Sequence, residues 1–298
     1  MKKNLVVIAG PTAVGKTAAS ISIAQQLGCE IVSADSRQFY REMNIGTAKP
    51  SPDELNSVKH HFINNLSLND EFNAGKFETE AVALIEDKLK VNDYIILTGG
   101  SGLYVNAVLK GFDILPEADL QLRESLAREM DEKGIEFLQG ELKKNDPEYF
   151  AEVDLQNPQR LIRALEVCIL TGRPYSSFRN KKEVKRNFNT VKMCLHLERE
   201  ELYERINNRV DEMIAAGLVD EVKSLADYYE KNAMQTVGYN EIILFLKGEI
   251  TFEKAIELMK RNTRRYAKRQ LTWFRRDQEY RWLRPNEIDE MISYIRSI

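Results

Sequence analysis

The sequence predicts an α/β protein: a phosphate-loop core with a parallel sheet, a helical insertion domain, and a mostly helical C-terminal region. Three observations lead there. Short apolar runs that end in loops ("LVVIAG", "EIVSAD", "YIILTGG") alternate with stretches of helical periodicity, and strands alternating with helices favour parallel pairing with crossover connections. From Pro116 that alternation stops, and the chain becomes strongly charged with helical spacing. From Thr190, "TVKMCLHLE" returns to strand character, alternating apolar and polar residues before helical patterns resume. The expected division is a core of 1–115 with 188–298 and an insertion of 116–187.

In chain order, the first strand runs into "GPTAVGKT" and a helix over Lys16 to Leu27. A second strand is expected at "EIVSAD" and a third at "YIILTGG", the latter followed by a helix over Ser101 to Lys110. The insertion contains "NPQRLIRALE", whose cap-like Asn157 and Pro158 mark a helix start, and it closes on the basic run "RNKKEVKR". Near the end, "YRWLRP" predicts a short strand or an extended turn.

Bulk composition excludes more than it selects. The 298 residues are 43% hydrophobic, enough for two cores. A net charge of -3 gives no global sign of a nucleic-acid partner, so any such binding must come from local patches. No stretch approaches the ~20 apolar residues that span a bilayer, and no signal-peptide pattern stands at the start. Cys29, Cys168 and Cys194 are too scattered for disulfides or a zinc site, and His60, His61 and His196 do not complete one. A soluble, cytoplasmic monomer of a reducing compartment is expected.

Gly10, Gly15, Lys16 and Thr17 fit G-x-x-x-x-G-K-[ST], with a strand before and a helix after. The loop of Gly10, Pro11, Thr12, Ala13, Val14, Gly15, Lys16 and Thr17 is expected to turn its backbone N–H groups, which all but Pro11 carry, inward on an anion. Lys16 adds positive charge, and the Thr17 hydroxyl can ligate Mg²⁺. The loop predicts diphosphate binding without saying whether a phosphate is transferred or leaves. Asp35, just past the second strand, fits a metal anchor, a general base or a cap equally well. Ser101 in "GGSGLY" reads either as a hydroxyl beside the phosphate loop or as a helix cap.

Residues 259–276 hold eight basic residues and no acid. Arg261, Arg264, Arg265 and Lys268 follow helical spacing on one face, which favours RNA phosphates over simple solvation. Tyr266, Trp273 and Phe274 among them read as core more readily than as stacking platforms. Arg160 and Arg163 lie one turn apart, and Arg163 can pair with Glu166 as readily as with RNA.

"GPTAVGKT", "SADSRQFYREMNIGTAKP", "HHF", "TGGSGLYV", "NPQRLIRALE", "VGY" and "AKRQLTWFRR" occur in order over residues 5 to 276. Together they resemble the tRNA dimethylallyltransferase, or tRNA isopentenyltransferase, family. Family members commonly have Thr at Ser101, which keeps the hydroxyl, and Asp at Asn44. The resemblance implies transfer of a dimethylallyl group from dimethylallyl diphosphate to the exocyclic N6 of the tRNA adenosine 3′ to the anticodon. It implies Asp35, Ser101 and Lys16 as catalytic, with Mg²⁺ on Thr17. It further implies that Asp35, Ser36, Arg37, Gln38 and Ser101 approach the target base. The anticodon stem-loop would meet Arg123 and the run Gln159, Arg160, Leu161, Ile162 and Arg163. Gly238, Tyr239 and the helix bearing Arg261, Arg264, Arg265, Lys268, Arg269 and Gln270 would complete the RNA contacts. The loop alone also fits a small-metabolite kinase or a nucleotide-gated RNA-binding protein, neither of which needs every one of these segments.

Overall fold

The computed structural model describes residues 3–113, 115–179 and 184–298. Of the basic run "RNKKEVKR", 180–183 fall outside the described residues. The chain forms two compact units, residues 1–110 with 185–298, and residues 111–184.

The larger unit is built on β1 (Asn4–Ala9), β2 (Ile31–Ser33), β3 (His60–His61), β4 (Tyr94–Gly99), β5 (Asn189–Leu195) and β6 (Arg281–Leu283). They form one all-parallel sheet in the order β3-β2-β4-β1-β5-β6. Alternate side chains of β1 enter opposite cores: Leu5, Val7 and Ala9 join one cluster, Val6 and Ile8 the other. Burial on both faces is what a parallel sheet requires. It also explains β5, whose polar-looking alternation comes from Lys192. Lys192 is 7% exposed, and its ammonium donates to Asp277 and Glu279 rather than to solvent.

The helices before the insertion are α1 (Lys16–Leu27), α2 (Pro52–Ser57), α3 (Ala74–Val91) and α4 (Gly102–Lys110). Phe77, Ala81, Ile85 and Leu89 recur every fourth residue on α3 and form its buried face. Asn73 caps that helix by accepting from the N–H groups of Gly75 and Lys76.

The smaller unit consists of α5 (Leu120–Lys133), α6 (Ile135–Asn145), α7 (Pro147–Glu152) and α8 (Pro158–Thr171) around Leu126, Leu138, Leu142, Leu161, Ala164 and Leu165. Asn157 caps α8 and Pro158 opens it, as the sequence indicates.

The larger unit is completed by α9 (Arg199–Ala215), α10 (Leu218–Ser224), α11 (Tyr239–Leu246), α12 (Phe252–Phe274) and α13 (Ile288–Ser297). No described helix is long and apolar enough to cross a membrane.

Candidate active site

Parallel register gathers three loops at one edge. Ala9 stands beside Gly99 on β4, and Ser33 of β2 stands beside Thr98. The segments after β1, β2 and β4 therefore emerge together at the carboxyl ends of the strands, where open α/β sheets bind ligands. A side chain at Gly99 would bring Cβ to 2.6 Å from the Ala34 carbonyl oxygen, so glycine permits this close approach.

In the first loop, the Lys16 ammonium donates to the carbonyls of Gly10 (3.1 Å) and Pro11 (2.7 Å). Burial pulls its pKa down to about 8, with the Asp35 charge opposing the shift. The Thr12 N–H donates to Gln270 Oε1 (2.9 Å), and Gln270 Nε2 donates to the Gly100 carbonyl (2.9 Å). Gln270 is thus a buried brace between two loops rather than an exposed RNA contact. Arg209, from α9, reaches Thr12 Oγ1 at 3.5 Å, and burial lowers its pKa too.

Thr12, Ala13, Gly15, Lys16 and Thr17 line a cavity of about 510 Å³. Gly10, Pro11 and Val14 do not form its lining, and the Val14 side chain is fully buried in the core.

The second loop brings Asp35, Ser36, Arg37 and Gln38 to the same cavity. Asp35 Oδ1 accepts from the Arg37 N–H (3.1 Å) within a turn, not at the start of a helix. The third loop carries Ser101, whose carbonyl accepts from the Tyr104 and Val105 N–H groups at the start of α4. Its Oγ accepts from the Ser36 N–H (3.3 Å), lies 3.4 Å from Ser36 Oγ and has Tyr266 beside it. Ser101 thus meets the cavity through its neighbours Ser36 and Tyr266, both of which line it. Burial, and after it the Asp35 charge, pushes the Tyr266 phenol up to about 12, so it stays a neutral hydroxyl.

Ile206, Val210 and Met213 of α9 and Met259 of α12 supply an apolar wall to the same cavity. Sequence reasoning missed this wall and Arg209. The first three recur at i, i+4 and i+7, a spacing that reads as ordinary core, and Arg209 sits among the mixed charges of "YERINNRVDE". Tyr266 also lines the cavity, whereas Phe274 is core and Trp273 packs against Gly102.

The remaining RNA-directed residues divide. On α12, Arg265, Lys268 and Arg269 are exposed, and Arg269 borders the cavity. Arg264 instead donates to Asn207 Oδ1 (2.6 Å) and lies over the Tyr203 ring, and the Arg261 Nε is buried. Gly238 lines the cavity, but Tyr239 is fully buried and donates to Glu221, which removes it from an RNA surface.

In the smaller unit, Leu161 is core, Ile162 and Arg163 are half-buried, and Gln159 and Arg160 are exposed. Arg123 and Arg163 both bind the fully buried Glu166. Burial opposes ionisation of Glu166, yet these hydrogen bonds hold its carboxyl below the usual range.

A sheet-edge phosphate loop with two desolvated cations, a facing carboxylate and an apolar wall makes a site suited to group transfer from a phosphate ester that carries an apolar part. A family model described as IPP transferase matches residues 38–277, and the chain belongs to that family. A tRNA dimethylallyltransferase of Flavobacterium johnsoniae is 50% identical over 300 residues, 98% of this chain and 97% of the relative. The crystal structure of a full-length tRNA isopentenylpyrophosphate transferase from Bacillus halodurans aligns with TM-score 0.74 at 39% identity, covering 99% of this chain and 96% of the other. A eukaryotic dimethylallyltransferase, described as acting on tRNA, aligns with TM-score 0.79 at 27% identity over 99% of this chain and 77% of that one.

Proposed function

We propose that the chain carries out the reaction for which these relatives are named. It transfers the dimethylallyl group from dimethylallyl diphosphate to the exocyclic N6 of the adenosine 3′ to the anticodon of a tRNA. The observation that carries this reading is the single cavity in which Lys16 and Arg209 face Asp35, with Ile206, Val210, Met213 and Met259 alongside. The cations suit the diphosphate, the apolar wall suits the prenyl tail, and the carboxylate suits the amine that attacks.

In the reaction, the C1–O bond of the prenyl diphosphate breaks and an N6–C1 bond forms. Lys16 and Arg209 neutralise the charge that develops on the departing diphosphate; in a desolvated site that stabilisation is large. Asp35 accepts the N6 proton through the carboxylate oxygen not used by Arg37. The adenine must leave its stack to reach a cavity at the sheet edge. Ser101 acts through Ser36, which it orients, and Tyr266 stands as a neutral hydrogen-bonding group beside Ser101.

Among the described residues no three His, Cys, Asp or Glu side chains gather as a metal site. The cavity offers the Thr17 hydroxyl, a single hard oxygen that fits Mg²⁺, an ion that takes most of its ligands from substrate phosphates and water. Thr17 would hold that ion, and its chemistry there is added neutralisation of diphosphate charge. Exposed Arg265, Lys268 and Arg269 supply contacts to RNA phosphates, as Gln159 and Arg160 do from the smaller unit.

Incubating the purified chain with tRNA and dimethylallyl diphosphate, then measuring nucleoside masses, tests the reading. Adenosine heavier by one dimethylallyl group is the expected product. Consumption of ATP with phosphorylation of an acceptor, and no prenylated nucleoside, would replace it with a kinase.

A further inference from the structure

Glu221 and Tyr239 take no part in the steps above, yet they hold one wall of the cavity. Glu221, on α10, turns both carboxylate oxygens toward the 3₁₀ turn Ile45–Thr47. Its Oε2 accepts from the backbone N–H groups of Asn44 (3.0 Å) and Ile45 (2.8 Å). Its Oε1 accepts from the Gly46 N–H (3.2 Å) and from the Tyr239 hydroxyl (2.6 Å). A carboxylate with four donors has its orientation fixed, and here it fixes the three amides of a short turn with it. The Tyr239 ring packs on the same turn: a Cβ at Gly46 would lie 2.4 Å from its Cε2. Burial raises the Tyr239 pKa, so the phenol remains a donor at every physiological pH. "IGTAKP" and "VGY", far apart in the sequence, are two sides of one contact.

The turn is tied to the catalytic loop at its other end. Gln38 Nε2 donates to the carbonyls of Thr47 (3.3 Å) and Ala48 (3.2 Å). Gln38 Oε1 accepts from Ser33 Oγ (3.3 Å), and the Gln38 N–H donates to the Asp35 carbonyl (3.1 Å). Gly46, Thr47 and Ala48 themselves line the cavity. The geometry points to Glu221 as a positioning residue for prenyl transfer: braced by Tyr239, it sets the 44–48 turn and, through Gln38, the direction in which Asp35 faces the target amine. The inference rests on the transfer reaction proposed above. The phosphate loop shares none of these bonds, so the latch governs the rate and leaves diphosphate binding alone.

Steady-state prenyl transfer by Glu221→Gln tests it, because the amide keeps the size of the side chain but cannot accept from all four donors. Misplacing a catalytic group by about 1 Å costs on the order of 10²-fold in rate. The expected result is a kcat lowered at least about tenfold, with the KM for dimethylallyl diphosphate within about twofold of wild type and faster amide exchange at 44–46. Tyr239→Phe removes one donor of the four, and its kcat falls by a few-fold with the same split. If Glu221→Gln fails to fold, Tyr239→Phe decides on those criteria alone. An unchanged kcat, a loss that merely follows the fraction unfolded, or a parallel rise in the KM for the diphosphate would overturn the latch. A wild-type chain that transfers no prenyl group would instead overturn the reaction itself, and the latch with it.

Discussion

The phosphate loop and the helix α12 both carry basic residues, and they use them in opposite ways. Lys16 sits in a desolvated cavity with Arg209 and meets loop carbonyls and the charge of Asp35, with no carboxylate of the described residues in direct contact. On α12, Arg264 is held by Asn207 and Tyr203, Arg261 has its Nε buried, and Arg265, Lys268 and Arg269 face outward. The same division appears in the smaller unit, where Arg123 and Arg163 are held by Glu166 while Arg160 is exposed. A basic residue is available to an incoming phosphate only where the fold leaves it without an acid. In the loop, desolvation makes that charge strong and local. On the helix, exposure leaves it weak and additive.

The contrast breaks most readily at Lys16. Lys16→Ala should lower the single-turnover transfer rate by about 10²–10³-fold, the scale for losing one preorganised charge stabiliser, with tRNA affinity nearly unchanged. Equal losses of rate and RNA affinity, by filter binding, would erase the distinction between the regions. Next in size is the paired reversal Arg265→Glu with Lys268→Glu. It should flatten the log–log salt dependence of tRNA binding by about 1.4, roughly 0.7 for each single-strand phosphate no longer neutralised. Dimethylallyl diphosphate binding should not move, and an unchanged salt slope would assign both side chains to solvent.

The smallest effect sharpens the comparison through pH. Burial holds Lys16 at about 8 in the free protein, and a bound diphosphate favours its charged form and raises that value. The affinity is therefore complete below about pH 8 and declines as pH rises above it, by at most about tenfold per unit. Calorimetry at about half a unit above that pKa, in two buffers of different ionisation enthalpy, should register proton uptake on diphosphate binding. No uptake would mean that Lys16 is already fully charged in the free loop.

How much of this was legible in the sequence follows from the same contrast. "GPTAVGKT" and "EIVSAD" could be placed because strand, loop and helix are local patterns, and parallel register then brings Asp35 beside the phosphate loop. The fate of Arg264, Tyr239 or Gln270 depends on partners at Asn207, Glu221 and Thr12, which no spacing rule connects to them. Leu161 followed its helical neighbours into the predicted RNA path although its own face is core. Arg209 and the apolar wall were hidden because i, i+4 and i+7 spacing describes a cavity lining as well as a packed helix.

In the proposed reaction Asp35 is the base that takes the N6 proton, and one measurement reaches that role directly: single-turnover prenyl transfer by Asp35→Asn across pH and Mg²⁺ concentration. Asn keeps the size and can still accept from the Arg37 N–H, so folding and tRNA affinity should hold. The rate should fall by ~10²–10⁴-fold, the acidic limb of the pH–rate profile should vanish, and added Mg²⁺ should restore nothing. Recovery of the rate at high Mg²⁺ would contradict that role, making Asp35 a metal anchor rather than the base.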